Sequence, residues 1–221
     1  SNLREDSLRI SIDTKAKVDL CDSSRGGTSR CRKAVKADDH DMGLKDKLAP
    51  FGILNMMTGL LTIIFGVSFE TSDFIVDCLE QWWDDNKSQN GHINQLVINL
   101  DNGPQNSSHR TQFMKRIIEF ADKNNLEIVL AYYPPYHSKY NPVERCWGIL
   151  ENHWSATLLN TLEITLAWAK TMTWKGLSPV VKLLETTYQK GVKLSKKAFT
   201  AMGNRIGRSP LLPKYYMTIQ P

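Results

Sequence analysis

Two short runs constrain this chain more than any other feature. Residues 96–100 (Leu-Val-Ile-Asn-Leu) and 126–131 (Leu-Glu-Ile-Val-Leu-Ala) are nearly continuous apolar stretches, as expected of strands covered on both faces. Between them a stripe of Phe113, Ile117, Phe120 and Ala121 recurs at helical spacing. After the second run, Asn141-Pro142 opens a further helix with Pro at its first position and a stripe of Val143, Trp147, Leu150 and Trp154. Strand, helix, strand, helix in this order demands a sheet with helices on its faces.

The region upstream completes the sheet. Residues 8–13 alternate apolar and polar and read as a strand. Residues 52–57 and 60–67 flank Thr58-Gly59, a hairpin signal. Ser72 is placed to cap a helix with a stripe of Ile75, Leu79 and Trp82, ended by Asn90-Gly91. Ser107 or Ser108 is placed to cap the next helix. The expected architecture is a mixed α/β sheet flanked by helices. Beyond about residue 158 the pattern changes, with helices expected near 162–173 and 195–202. Residues 1–157 therefore read as a core, and 158–221 as a helical or irregular extension packed on it.

Composition sets the outer limits. The chain has 221 residues, 41% hydrophobic and 23% charged, which suits a globular fold. Its most apolar stretch, residues 52–67, is interrupted by Asn55, Thr58, Gly59 and Thr62 and is too short to span a bilayer. A net charge of +5 is compatible with a nucleic-acid partner. The 4 cysteines form no Cys-x-x-Cys pair, which argues against a zinc site or a disulfide framework and suits a reducing cytosol. Ser at position 1 is compatible with a piece of a longer chain.

Three carboxylates stand where chemistry gathers in α/β sheets, beyond the carboxyl ends of strands and beside helix N-termini. Asp13 ends the first strand, Asp101 follows the 96–100 run, and Glu144 lies in the first turn of the helix opened by Pro142. Clustered carboxylates repel one another unless a cation or a proton intervenes. Their oxygens suit Mg²⁺ or Mn²⁺, and two such ions can serve both the attacking and the leaving oxygen at phosphorus. Each residue also has an ordinary reading: Asp13-Thr14 and Asp101-Asn102-Gly103 as turns, Glu144 as the far partner of a capping box begun by Asn141.

The spelling around these residues carries a resemblance. Leu100-Asp101-Asn102-Gly103-Pro104 resembles the second acidic motif of DDE transposases, and Tyr132 through Arg145, with Pro-Tyr-His-Ser-Lys-Tyr-Asn-Pro-Val-Glu at its centre, resembles the third. Ile10-Ser11-Ile12-Asp13-Thr14-Lys15 resembles the first. Together with the run Tyr-Gln-Lys-Gly-Val-Lys-Leu-Ser-Lys-Lys-Ala-Phe ending at Phe199, the chain is similar to the Rhodopirellula-type transposase DDE domain of bacterial insertion sequences. The resemblance implies a ribonuclease-H-like mixed sheet of five strands, with Asp13, Asp101 and Glu144 as catalytic and metal-binding residues. It implies Mg²⁺ or Mn²⁺ as cofactor, double-stranded DNA (element ends and target) as partner, copies of the chain assembled on DNA, and a bacterial cytoplasmic, nucleoid-associated setting. The stretch between Asp101 and Glu144 is longer than in many DDE enzymes, which implies an enlarged loop. The family's chains normally carry a helical DNA-binding segment ahead of the first aspartate, and none is seen here.

Several residues are candidates for contact with DNA. Lys15 follows Asp13, and His137 and Lys139 lie on the loop before Glu144. Lys193, Lys196 and Lys197 sit in a basic region that suits sequence-blind, salt-sensitive DNA affinity. Trp82, Trp83, Trp147 and Trp154 read as core. His40 among Asp38, Asp39 and Asp41 reads as a polar loop. Two other functions share the triad or the charge: a nuclease that only hydrolyses, and a non-catalytic DNA-binding module.

Overall fold

The computed structural model describes residues 4–22, 47–134 and 140–221, without the side chain of Lys196. The strands are β1 (Ser7–Thr14), β2 (Val18–Asp19), β3 (Lys47–Asn55), β4 (Leu61–Gly66), β5 (Gln95–Leu100), β6 (Glu127–Tyr132), β7 (Val180–Leu184), β8 (Ile206–Arg208) and β9 (Tyr216–Ile219). The helices are α1 (Ser72–Asn86), α2 (Thr111–Asn124), α3 (Pro142–His153), α4 (Leu162–Thr171) and α5 (Lys196–Met202). One sheet runs β7-β4-β3-β1-β5-β6-β9-β8, with β2 paired to β3. Within it, β4-β3-β1-β5-β6 has the ribonuclease-H-like order: β3 antiparallel to β4 and β1, then β5 and β6 parallel to β1.

The two-residue period of the strands sorts side chains onto two faces. Leu8, Ile10 and Ile12 of β1, Leu96, Ile98 and Leu100 of β5, and Ile128 and Leu130 of β6 share one core with the apolar stripes of α1 and α2. Leu48, Leu54, Ile63 and Phe65 share the other with Val143, Trp147, Leu150 and Trp154 of α3 and Ala169 of α4. The four tryptophans Trp82, Trp83, Trp147 and Trp154 are all buried, as expected.

The sheet is larger than the expected five strands. Segments beyond residue 158 add strands to both edges: β7 pairs parallel with β4, and β9 pairs antiparallel with β6 and carries β8 outside it. Two caps also differ. Thr71 rather than Ser72 caps α1, accepting from Phe74 N at 3.2 Å, while the Ser72 hydroxyl donates to the Gln105 carbonyl at 2.6 Å. Helix α2 starts at Thr111 with no side-chain cap, later than a Ser107 or Ser108 cap would place it. Among the described residues no helix is long and apolar enough to cross a membrane.

Candidate active site

The parallel pairing of β1 with β5 sets the two aspartates at one level. Ser11 is in register with Asn99, so two residues further along each strand Asp13 meets the level of Asp101. Period-two alternation turns both away from the α1–α2 core, because Ile12 and Leu100 fill that side. Asp13 therefore faces the layer of α3.

Helix α3 is fixed to β1 by buried neutral groups. Asn141, at its N-cap position, is fully buried and makes no side-chain cap bond. Its amide instead reaches β1: Nδ2 donates to the Ile12 carbonyl at 3.0 Å, and Oδ1 accepts from the Ser11 hydroxyl. Ser11 Oγ in turn accepts from Val143 N at 3.3 Å. One turn on, Trp147 Nε1 donates to Asp13 Oδ2 at 2.8 Å. Close approach is possible because β3 has Gly52 here; a Cβ there would meet the Trp147 ring at 2.6 Å and Val143 at 2.8 Å. Glu144 thus begins the helix directly over the strand that ends in Asp13. The expected capping role of Asn141 is replaced by this tie between strand and helix. The capping-box spacing Asn141…Glu144 hid it, since the same letters serve both arrangements.

Asp101 is held by its own loop. Asn106 Nδ2 donates to Asp101 Oδ1 at 2.9 Å, and the Asn106 carbonyl accepts from the buried Tyr132 hydroxyl at 2.8 Å. Asn102 Oδ1 accepts from Ser108 N at 3.3 Å. The loop folds so tightly that a Cβ on Gly103 would stand 2.9 Å from Asn106 Oδ1 and 3.3 Å from both Asp101 carboxylate oxygens.

Asp101 and Glu144 lie within electrostatic reach of Asp13. Burial, with the charges of Asp101 and Glu144 adding to it, pushes the Asp13 carboxyl up to about 7; the Trp147 hydrogen bond works the other way. A fourth acid went unseen in the sequence. Glu70, between β4 and α1, is raised by burial and by the charge of Asp101, while the Thr14 hydroxyl and Lys17 favour its ionised form. Nothing in the local spelling Ser-Phe-Glu-Thr marks it, because its neighbours come from β1 and from the end of β5. Tyr133 lies close by: burial and the charge of Glu144 raise its phenol, whose oxygen accepts from Asn99 at 3.2 Å.

The remaining candidates lie apart from the triad or outside the described residues. Lys15 forms an ion pair with Glu151, whose other oxygen accepts from Trp154 Nε1 at 2.8 Å. Lys193 and Lys197 are exposed, on and beside α5. His137, Lys139 and His40 with its neighbouring aspartates are outside the described residues, as is the side chain of Lys196.

By donor type the set suits a hard divalent cation: two carboxylates at one sheet edge and a third in the first turn of α3, with Asp13 buried within reach of the other two charges. Trp147 donates to one Asp13 oxygen and Asn106 to one Asp101 oxygen. Among the described residues no group of three His, Cys, Asp or Glu side chains is drawn together tightly enough to hold a metal ion. The acids feel one another's charge without forming a closed coordination shell.

Strand order and acid placement define a ribonuclease-H-like domain with an acidic site at the carboxyl edge of its parallel strands. More narrowly, the chain belongs to the Rhodopirellula transposase DDE domain family, whose model matches residues 1–221. No curated protein matches it. Among solved structures it is similar to the Mos1 transposase in a paired-end complex with the left transposon end, at 8% identity and a TM-score of 0.49 over 72% of this chain. It spans 46% of that transposase chain. It is also similar to the HTLV-2 integrase catalytic core domain in complex with magnesium, a dimeric form, at 15% identity and a TM-score of 0.38, over 78% of this chain and 91% of that one.

Proposed function

We propose that this domain cuts one DNA strand and joins the freed 3′-end to a target strand. The observation that carries the reading is the placement of Asp13 and Asp101 at the carboxyl ends of adjacent parallel strands, with the first turn of α3 pinned over Asp13. Water first attacks a phosphodiester; a P–O bond forms, the P–O3′ bond breaks, and a 3′-hydroxyl is left. That hydroxyl then attacks a target phosphodiester, loses its proton, and displaces the target's own 3′-oxygen. Neither step needs a covalent bond to the protein, because positioning and charge neutralisation carry phosphoryl transfer. Asp13, Asp101 and Glu144 would hold Mg²⁺ or Mn²⁺, which activates the attacking oxygen and stabilises the leaving one. Trp147 and Asn106 orient the two aspartates, and Tyr133 borders Glu144.

The test uses duplex DNA with a pre-cut 3′-end and Mn²⁺. Strand-transfer products are expected from the unaltered chain, and at least a 100-fold loss, on the order of removing a group acting only in the transition state, from Asp101→Asn and Glu144→Gln. Glu151→Gln should stay active, since Glu151 pairs with Lys15 and Trp154 rather than with the aspartates. Hydrolysis without joined product would favour a plain nuclease. An active Glu144→Gln beside an inactive Glu151→Gln would overturn the triad.

A further inference from the structure

The segment joining β4 to α1 carries an exposed aromatic ring beside a cavity. Phe69 is 42% exposed and Val67 40% exposed. The cavity measures about 560 Å³ and has apolar walls from Leu20, Leu48 and Leu162, with Lys17 and Lys47 also lining it. Two ammonium groups converge on the Phe69 ring, Lys190 Nζ at 4.1 Å and Lys17 Nζ at 5.3 Å from its centroid. Lys47 is paired with Asp19 at 2.8 Å, whereas Lys17, which also donates to the Ser68 carbonyl at 3.5 Å, and Lys190 are the cations at Phe69. The next residue after Phe69 is Glu70, which takes the Thr14 hydroxyl and senses Asp101, so the cavity adjoins the acidic edge.

An apolar slot, a partly exposed aromatic ring and two cations already drawn to that ring suit a ligand that is flat, aromatic and anionic. A nucleobase with its phosphate has those three properties together. A base inside a duplex has its faces covered by its neighbours, so only an unpaired nucleotide can present one. We propose that this cavity takes an unpaired nucleotide of the DNA bound at the acidic edge, with its base stacked on Phe69 and its phosphate held by Lys17 and Lys190. The proposal rests on the reading of the carboxylates as a DNA strand-transfer site. The nucleotide comes either from the end of the transferred strand or from a distorted target.

The full chain, without metal, is titrated with a blunt duplex, the same duplex with a three-nucleotide overhang, and the same duplex with an internal bulge. The unaltered chain should bind an unpaired probe about tenfold more tightly than the blunt one, as one stacked base supplies. Phe69→Ala should abolish that preference and leave blunt-duplex affinity unchanged, while Phe69→Trp keeps it. Phe69→Leu retains apolar bulk without the stacking face, and decides the matter if the alanine variant fails to fold. Replacing Lys17 and Lys190 with Gln should lower the salt slope on the unpaired probe by up to about two phosphate equivalents. Preference for the overhang places the nucleotide on the transferred end; preference for the bulge places it on the target. Equal binding of all three probes, or a preference that survives in Phe69→Leu, overturns the proposal. Loss of strand transfer with the preference intact would sink the reaction and leave the pocket standing.

Discussion

The acids on the two faces of the sheet have different partners. On the α1–α2 face, Arg116 reaches Asp73 at 3.0 Å, Asp77 at 2.8 Å and Glu80 at 3.3 Å, and Lys123 reaches Glu80 at 2.7 Å. The acids there are ion-paired within the protein. On the α3 face the groups that join the helix to β1 beside Asp13 are neutral, Ser11, Asn141 and the Trp147 indole, and the ion pair of Lys15 with Glu151 lies further along the helix. Asp13 and Asp101 each take a neutral donor, so their charge is oriented without being cancelled by those bonds. On one face the acids are ion-paired; on the other, Asp13 and Asp101 are held by neutral donors.

The sharpest way to test this contrast is pH. The Asp13 carboxyl titrates at about 7 in the folded chain, against 3.8 ordinarily. Stability from the neutral form is complete below the ordinary value and is lost as pH rises through 7. Relative to Asp13→Asn, the unaltered chain should lose roughly 1.4 kcal/mol for each pH unit between the two values. Urea midpoints at pH 5 and pH 8 measure it, and parallel profiles for the two chains would erase the contrast. Added Mg²⁺ should restore part of the loss at pH 8 by mass action.

Smaller effects sharpen the comparison. Asn141→Ala strips two buried partners on β1, the Ser11 hydroxyl and the Ile12 carbonyl, at roughly 2–4 kcal/mol. Strand transfer should fall further than the folded fraction does; equal losses would reduce Asn141 to a purely structural role. Gly52→Ala forces a methyl into the Trp147 ring and should cost roughly 1–3 kcal/mol, read as a lower Tm. Arg116→Gln, on the opposite face, should cost only about 1 kcal/mol, shrink further in salt, and leave strand transfer untouched. A larger activity loss from Arg116→Gln than from Asn141→Ala would invert the assignment of the two faces.

Local pattern carried the central strands and the helices. Residues 96–100 and 126–131 are legible because a strand buried on both faces is apolar throughout, and the α2 and α3 stripes repeat at helical spacing. The edge strands were not legible. Val-Val-Lys-Leu-Leu in β7 and Tyr-Met-Thr-Ile in β9 are short, and their partners β4 and β6 lie far away in sequence. Of the acids proposed for the site, Asp13, Asp101 and Glu144 could be singled out because each ends or follows a strand or opens a helix. Glu70 and the Asn141–Ser11 tie could not, since both depend on which strands become neighbours.

The edge strands have a consequence for how the chain is made. A ribosome releases β1 through β6 with the outer edges of β4 and β6 still bare, because β7 and β9 come from residues 180–184 and 216–219. Bare strand edges template pairing with other chains. The nascent protein therefore passes through a window in which its centre can fold but its edges are sticky, and these late, distant pairings are the slow kind to form. Translation speed across the second half of the message, and any chaperone waiting at the tunnel exit, should then govern the yield of native protein as strongly as the stability of the finished fold.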